Sequence, residues 1–249
     1  MSKFIDRLKQ ISLPSPKVMG FRQNNETTTR LKIQLVAFVN RSTDTIVNKL
    51  SAADAIIIND IKQLPPDILW GFAAEKVSIE EVDKAVEAGS DFVVLPADEE
   101  VLSPDKNTGK VLQLDESVSD ILLRAVNELP FDAVLVNGDS ETGTTITWRK
   151  LMQFSRFSGL VSKPVLVFIP PEVSSAELQL IWEMGISGVV ISVKTASDVN
   201  LLNKVREMIN GLQHPSPKKK ERLIPFLPQG STPAAKPEEP DEDDDDDDD

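Results

Sequence analysis

Six polar residues stand at or just past the ends of short apolar runs: Asn40, Asn59, Asp98, Asp115, Asn137 and Lys194. A carboxylate and an amine held together are raw material for general acid–base chemistry, since burial shifts both pKa values and a charge pair draws them back. On that pattern Asp115 and Lys194 form the candidate catalytic pair, with Asp98 as a second carboxylate. A plainer account of the same residues is a charge pair that ties structure together. Asn40, Asn59 and Asn137 are candidate ligand contacts, and Thr195 and Ser197 sit where an anion could meet the start of a helix. Capping of that helix by Ser197 and Asp198 explains those side chains equally well. Glu75, Asp98 and Asp115 offer oxygen ligands to Mg²⁺, but no spacing motif supports a metal site, and none is expected.

Composition narrows the chemistry further. Among 249 residues there is no Cys, which excludes thiolate metal sites, disulfides and a cysteine nucleophile. The single histidine, His214, lies in a Pro-rich stretch, so histidine triads and histidine-ligated metals are not expected. The formal net charge of −13 is concentrated at one end. Residues 231–249 hold one Lys and eleven acids, which leaves only −3 on the first 230 residues. No basic stripe follows, so no nucleic-acid partner is expected. No run approaches the roughly 20 apolar residues of a membrane span, and the first residues lack a signal core. The expectation is a cytoplasmic protein with no membrane partner.

The elements that must position these residues repeat from about residue 31 to 211. Eight nearly continuous apolar runs recur: 32–39, 55–58, 69–74, 92–95, 110–114, 133–136, 165–169 and 188–193. Runs of this kind suit parallel strands covered on both faces. Helical periodicity fills 78–88, 117–129, 144–157, 174–184 and 197–209, with capping-box spacing at Ser78/Glu81 and Ser174/Glu177. Gly89, Gly159, Gly185 and Gly211 stand where left-handed caps belong. Eight strands alternating with helices predict an α/β fold, a single (β/α)8 barrel spanning 31–212. The second and fourth helices should be short or missing, because Pro65-Pro66 and 103–109 break those connections. An open doubly wound sheet is the structural alternative. Side-chain alternation turns Gln34, Asn40, Gln113, Asp115, Ser192 and Lys194 inward, while Leu112 and Leu114 face the helices.

Residues 1–30 read as an N-terminal helix and connector, with Phe4, Ile5, Leu8 and Ile11 on one face as a cap for the barrel's N-terminal mouth. Residues 213–249 read as a Pro/Lys-rich linker and a disordered acidic tail, containing the apolar island Leu223–Leu227. Such a tail could contact a basic partner; solvation alone also accounts for it. Trp148 and Trp182 should pack on helices outside the barrel, and Trp70 in the core or a pocket wall.

The segments Glu87–Val94 and Glu183–Ser192, each a helix feeding a buried strand through a glycine, resemble the aldolase-type TIM-barrel superfamily. The resemblance covers about 31–211 and lies in fold and cadence. It implies a site at the C-terminal mouth of the barrel. Schiff-base aldolases of that superfamily commonly carry their lysine on strand six, where this chain has Asn137, leaving Lys76 and Lys194 as candidates by position alone. Their phosphate cup uses backbone N–H groups after strands seven and eight; here Pro170-Pro171 removes two donors, and no glycine follows strand eight. A phosphate or flavin cofactor is therefore not expected. Within the loop 137–146, two glycines and several hydroxyls suit either a lid or a helix-capping turn. Two functions stay open: binding or transformation of a small anionic or carbonyl metabolite at the mouth, and a non-catalytic barrel acting as an interaction or scaffold protein. Exposed apolar surface beside the shortened helices would make a homodimer face.

Overall fold

β-Branched and aliphatic side chains dominate eight short segments, and each pairs in parallel with its neighbours in chain order. They are β1 (Gln34–Val39), β2 (Ala55–Ile58), β3 (Trp70–Ala73), β4 (Phe92–Pro96), β5 (Gly109–Asp115), β6 (Ala133–Asn137), β7 (Val165–Phe168) and β8 (Gly188–Ser192). The ring closes where β1 pairs with β8, Gln34 opposite Gly188 and Phe38 opposite Ser192. Closure excludes the open doubly wound sheet and leaves no edge strand. The computed structural model describes residues 2–12, 31–40, 47, 49–61, 64–65, 67–73, 78–99, 108–137 and 145–215. The acidic run and the apolar island at 223–227 lie outside the described residues, as do Glu75, Lys76 and most of the loop 137–146.

Among the described residues six helices accompany the strands: α1 (Lys3–Ser12), α2 (Ile79–Glu87), α3 (Asp120–Ala125), α4 (Trp148–Leu160), α5 (Ser175–Glu183) and α6 (Ala196–Gly211). Their starts follow from side-chain oxygens that accept otherwise unpaired backbone N–H groups. Ser78 accepts from Glu81, Ser119 from Leu122, Thr147 from Lys150 and Ser174 from Glu177. Three starts fall away from the sequence expectation. The helix expected from Ser117 begins at Asp120, because Asp115 spends the intervening residues on a turn: its Oδ1 accepts from Ser117 N at 2.8 Å and its carbonyl from Val118 N at 3.3 Å. The one expected from Thr144 begins at Trp148, capped by Thr147. The last begins at Ala196, one residue early, because Thr195 is its cap. Gly89 and Gly185 take the left-handed conformation, with φ of 96° and 95°. Gly159 and Gly211 instead lie within α4 and α6. Between β2 and β3 no helix occurs among the described residues, and the connection after β4 is described only as far as Glu99.

The apolar side chains form two shells. Outward residues of the strands, Trp70, Leu112 and Leu114 among them, pack against the helices; Trp182 is buried there too, whereas Trp148 stands exposed. Inward residues form a second cluster, with Val36, Ile57, Phe92, Val94, Leu135, Leu166 and Val190 around Phe4, Ile5 and Leu8 of α1. The N-terminal helix thus fills the lower mouth of the barrel. A ten-residue helix is marginal alone in water, so α1 depends on this burial. Three apolar side chains at about 2 kcal/mol each give a gross gain of about 6 kcal/mol. Room for it comes from glycine: a Cβ on Gly109 would stand 2.6 Å from Ile5 Cγ1. The carboxylate of Asp91 caps α1, accepting from Ser2 Oγ, Lys3 N and Phe4 N at 2.6–2.9 Å. Phe4 stacks on Phe92, with ring centroids 4.8 Å apart.

Candidate functional site

Because all eight strands run the same way, residues at their C-terminal ends share one rim. Asp115 and Asn137 are the last residues of β5 and β6 and lie opposite each other in register. Asn40 and Asn59 follow β1 and β2, Asp98 follows β4, and Lys194 follows β8. Thr195 and Ser197 stand at the start of α6. These residues therefore share the C-terminal rim of the ring.

Side-chain contacts link some of these residues. Asn59 Nδ2 donates to Asn40 Oδ1 at 3.0 Å, joining the ends of β1 and β2. Asn59 Oδ1 is shielded from solvent and has no hydrogen-bond partner among the described residues. Thr195 Oγ1 and Ser197 Oγ share a hydrogen bond of 2.7 Å. Below the rim, Phe38 and Phe168 meet edge to face at 5.6 Å and floor the mouth. Alternation along β1 places Phe38 beside Gln34 and Asn40, so this floor is visible as a pattern; its partner on β7 requires the closed ring.

The expected buried pair is corrected. Asp115 and Lys194 are both exposed, so the buried pair that the acid–base reading required is not formed. The backbone N–H of Ser117, followed by its hydroxyl, instead holds the Asp115 carboxyl below the ordinary range. Such a carboxylate is a fixed anion and a weak base at neutral pH. Asp98 is likewise exposed, in the turn after β4.

At β8 the chain supplies its own anion. Asp198 Oδ2 accepts from the backbone N–H groups of both Lys194 and Thr195 at 2.8 Å. Those donors sit at a helix N-terminus, where barrels of this type commonly hold phosphate. The capping role expected of Ser197 falls to Thr195 and Asp198, while Ser197 lies in the first turn of α6. The spacing Thr195–Asp198 matches a capping box, the one signal in the sequence that points to this arrangement. No group of acids and histidines suited to a metal ion occurs among the described residues.

The same barrel occurs in solved structures of low sequence identity. One mutant tryptophan synthase alpha-subunit from the hyperthermophile Pyrococcus furiosus superposes with a TM-score of 0.56 at 13% identity, covering 73% of this chain and 99% of that one. A second mutant of that subunit gives a TM-score of 0.54 at 13% identity with the same coverage. A structure from Aquifex aeolicus VF5 gives 0.54 at 14% identity, over 72% of this chain and 94% of that one. The fold is a TIM barrel. No family model matches the sequence, and no curated protein matches it. At such identities the likeness carries the TIM-barrel fold alone. No helix among the described residues is long and apolar enough to cross a membrane.

Proposed function

We propose that this TIM barrel binds a small metabolite at its C-terminal mouth, with binding rather than acid–base turnover as the role of the rim. The observation that carries the reading is Asn59. Its Oδ1 is a shielded acceptor without a partner among the described residues, held in place by Asn40 above an aromatic floor. An unmet acceptor costs about 1–3 kcal/mol, which a donor on a bound molecule would recover. The ligand class that fits carries a hydroxyl or amino donor for Asn59, together with a carbonyl or carboxylate for the Asn137 amide and the Lys194 ammonium. Thr195 and Ser197 extend the polar rim on the β8 side. In a transforming version of the site, Asp98 or Asp115 would move the proton with Lys194, and the depressed pKa of Asp115 works against that version.

The test is native mass spectrometry of the purified chain, followed by thermal shift against a panel of hydroxy-acids and hydroxy-ketones. A retained or stabilising compound whose effect disappears in Asn59→Ala and Lys194→Ala supports the reading. An empty barrel that no compound stabilises overturns it. The second reading, a non-catalytic interaction barrel, is favoured by Asp198, which fills the helix terminus an anionic substrate would use.

A further inference from the structure

α3 and α4 lie side by side, tied by Arg156 of α4. Its Nε donates to Asp120 Oδ1 at 2.5 Å, and its other nitrogens reach the carbonyls of Glu116 and Val118. Lys150 approaches Glu116 at 3.8 Å. Leu151, Phe154 and Phe157 turn the inner face of α4 to the core, as Leu123 does for α3. The outer faces carry large apolar side chains in water: Ile121 is 80% exposed, Trp148 74%, Met152 66% and Leu122 60%. Tryptophan and methionine spaced one turn apart bring a hydrophobic stripe that the fold does not use.

Charge decides what suits this surface. Around the two helices and the 3-10 turn Val126–Glu128 that continues α3 stand four cations, Arg124, Arg149, Lys150 and Arg156, against three acids, Glu116, Asp120 and Glu128. Glu116 and Asp120 are engaged by Lys150 and Arg156. Arg124 and Arg149 are exposed and have no ion-pair partner among the described residues. A net positive apolar face on a chain of formal charge −13 is locally opposite in sign to the rest. Two copies meeting through it would oppose arginine to arginine, which disfavours a symmetric dimer there. A lipid surface calls for clusters of about 4–8 Lys or Arg, whereas two of the four cations here are held by Glu116 and Asp120, which leaves only Arg124 and Arg149 to face a partner.

We propose that the outer face of α3 and α4 docks a partner protein through an acidic amphipathic segment, whose apolar side chains cover Trp148, Met152 and Ile121 and whose carboxylates meet Arg124 and Arg149. The inference names a partner class for the interaction reading and shares no residue with the mouth, so a barrel that binds a metabolite and fails the following test loses only the docking face. Trp70 and Trp182 are 2% and 5% exposed, which makes Trp148 the tryptophan that acrylamide reaches first. The probe is a short synthetic peptide with Leu and Phe at helical spacing and Glu between them, titrated into the full chain. The expected result is a blue-shifted emission and protection of Trp148, both absent in Trp148→Phe. The double variant Arg124→Glu/Arg149→Glu should weaken binding about tenfold, equivalent to about 1.4 kcal/mol. The same peptide with scrambled spacing should protect poorly. Equal protection by the scrambled peptide, no protection by either, protection by phosphatidylserine vesicles instead, or protection on concentrating the chain alone would each overturn the proposal.

Discussion

Asp115 and Glu177 show how far a single carboxylate can be read. Both are satisfied by residues two or three positions away in sequence: Ser117 donates to Asp115, and the Ser174 hydroxyl and N–H donate to Glu177. The Ser174 hydroxyl, then its backbone N–H, holds the Glu177 carboxyl below its ordinary range. A carboxyl depressed in the folded state stabilises the fold above its unfolded pKa, and that contribution disappears as pH falls through the folded value. Glu177→Ala should therefore destabilise by about 1 kcal/mol at neutral pH. The difference from wild type should close as urea melts are repeated below about pH 4. Glu177→Gln, which keeps an acceptor for Ser174 N, should lose the pH dependence and most of the deficit. Sequence alternation turns Asp115 toward the mouth, yet it carries direction and not depth. Its exposure depended on the turn to Ser117, which a strand pattern does not contain.

Among the elements, α1 depends most on distant residues. Its apolar face was legible from Phe4, Ile5 and Leu8, and so was the mouth it fills. Its cap was not, because Asp91 lies 88 residues from Lys3 and in no local capping pattern with it. Asp91→Ala removes three hydrogen bonds from the first turn and should cost about 1–2 kcal/mol. Hydrogen exchange should locate the effect: amides of α1 open faster while those of β6 and β7 stay protected. Gly109→Ala approaches the same helix from below, driving a methyl against Ile5 and Ser2, and should cost about 1–3 kcal/mol with the same exchange signature. Uniform acceleration across the barrel in either variant would show that α1 does not open as a unit. The helix start at 117 was misplaced for a related reason: apolar periodicity runs through a turn that hydrogen bonds have already claimed.

For the molecule as a whole, the count of eight strands was legible because parallel strands buried on two faces read as uninterrupted apolar runs. That the ring closes was inferred from number and cadence, and the residues that fasten it were not visible. Arg206 of α6 donates to Ala52 O and Asp54 Oδ2 at 2.6 Å, and Asp54 in turn accepts from Leu35 N. This bridge joins the last helix to the start of the β2 strand, beside the β1–β8 closure. Arg206→Ala leaves Asp54 half-buried without its cation and should cost about 2 kcal/mol. Equilibrium denaturation should show a lower midpoint with an unchanged slope, the sign of one cooperative ring.

The Asp198 carboxylate has a practical corollary. A helix terminus that carries its own counter-ion gains nothing from dissolved oxyanions, so the wild-type melting temperature should respond alike to phosphate and to chloride of matched ionic strength. Clearing the seat with Asp198→Gly leaves the N–H groups of Lys194 and Thr195 facing solvent, and phosphate should then rescue what the substitution costs. One side chain would thus separate a barrel that ignores inorganic anions from one that retains them.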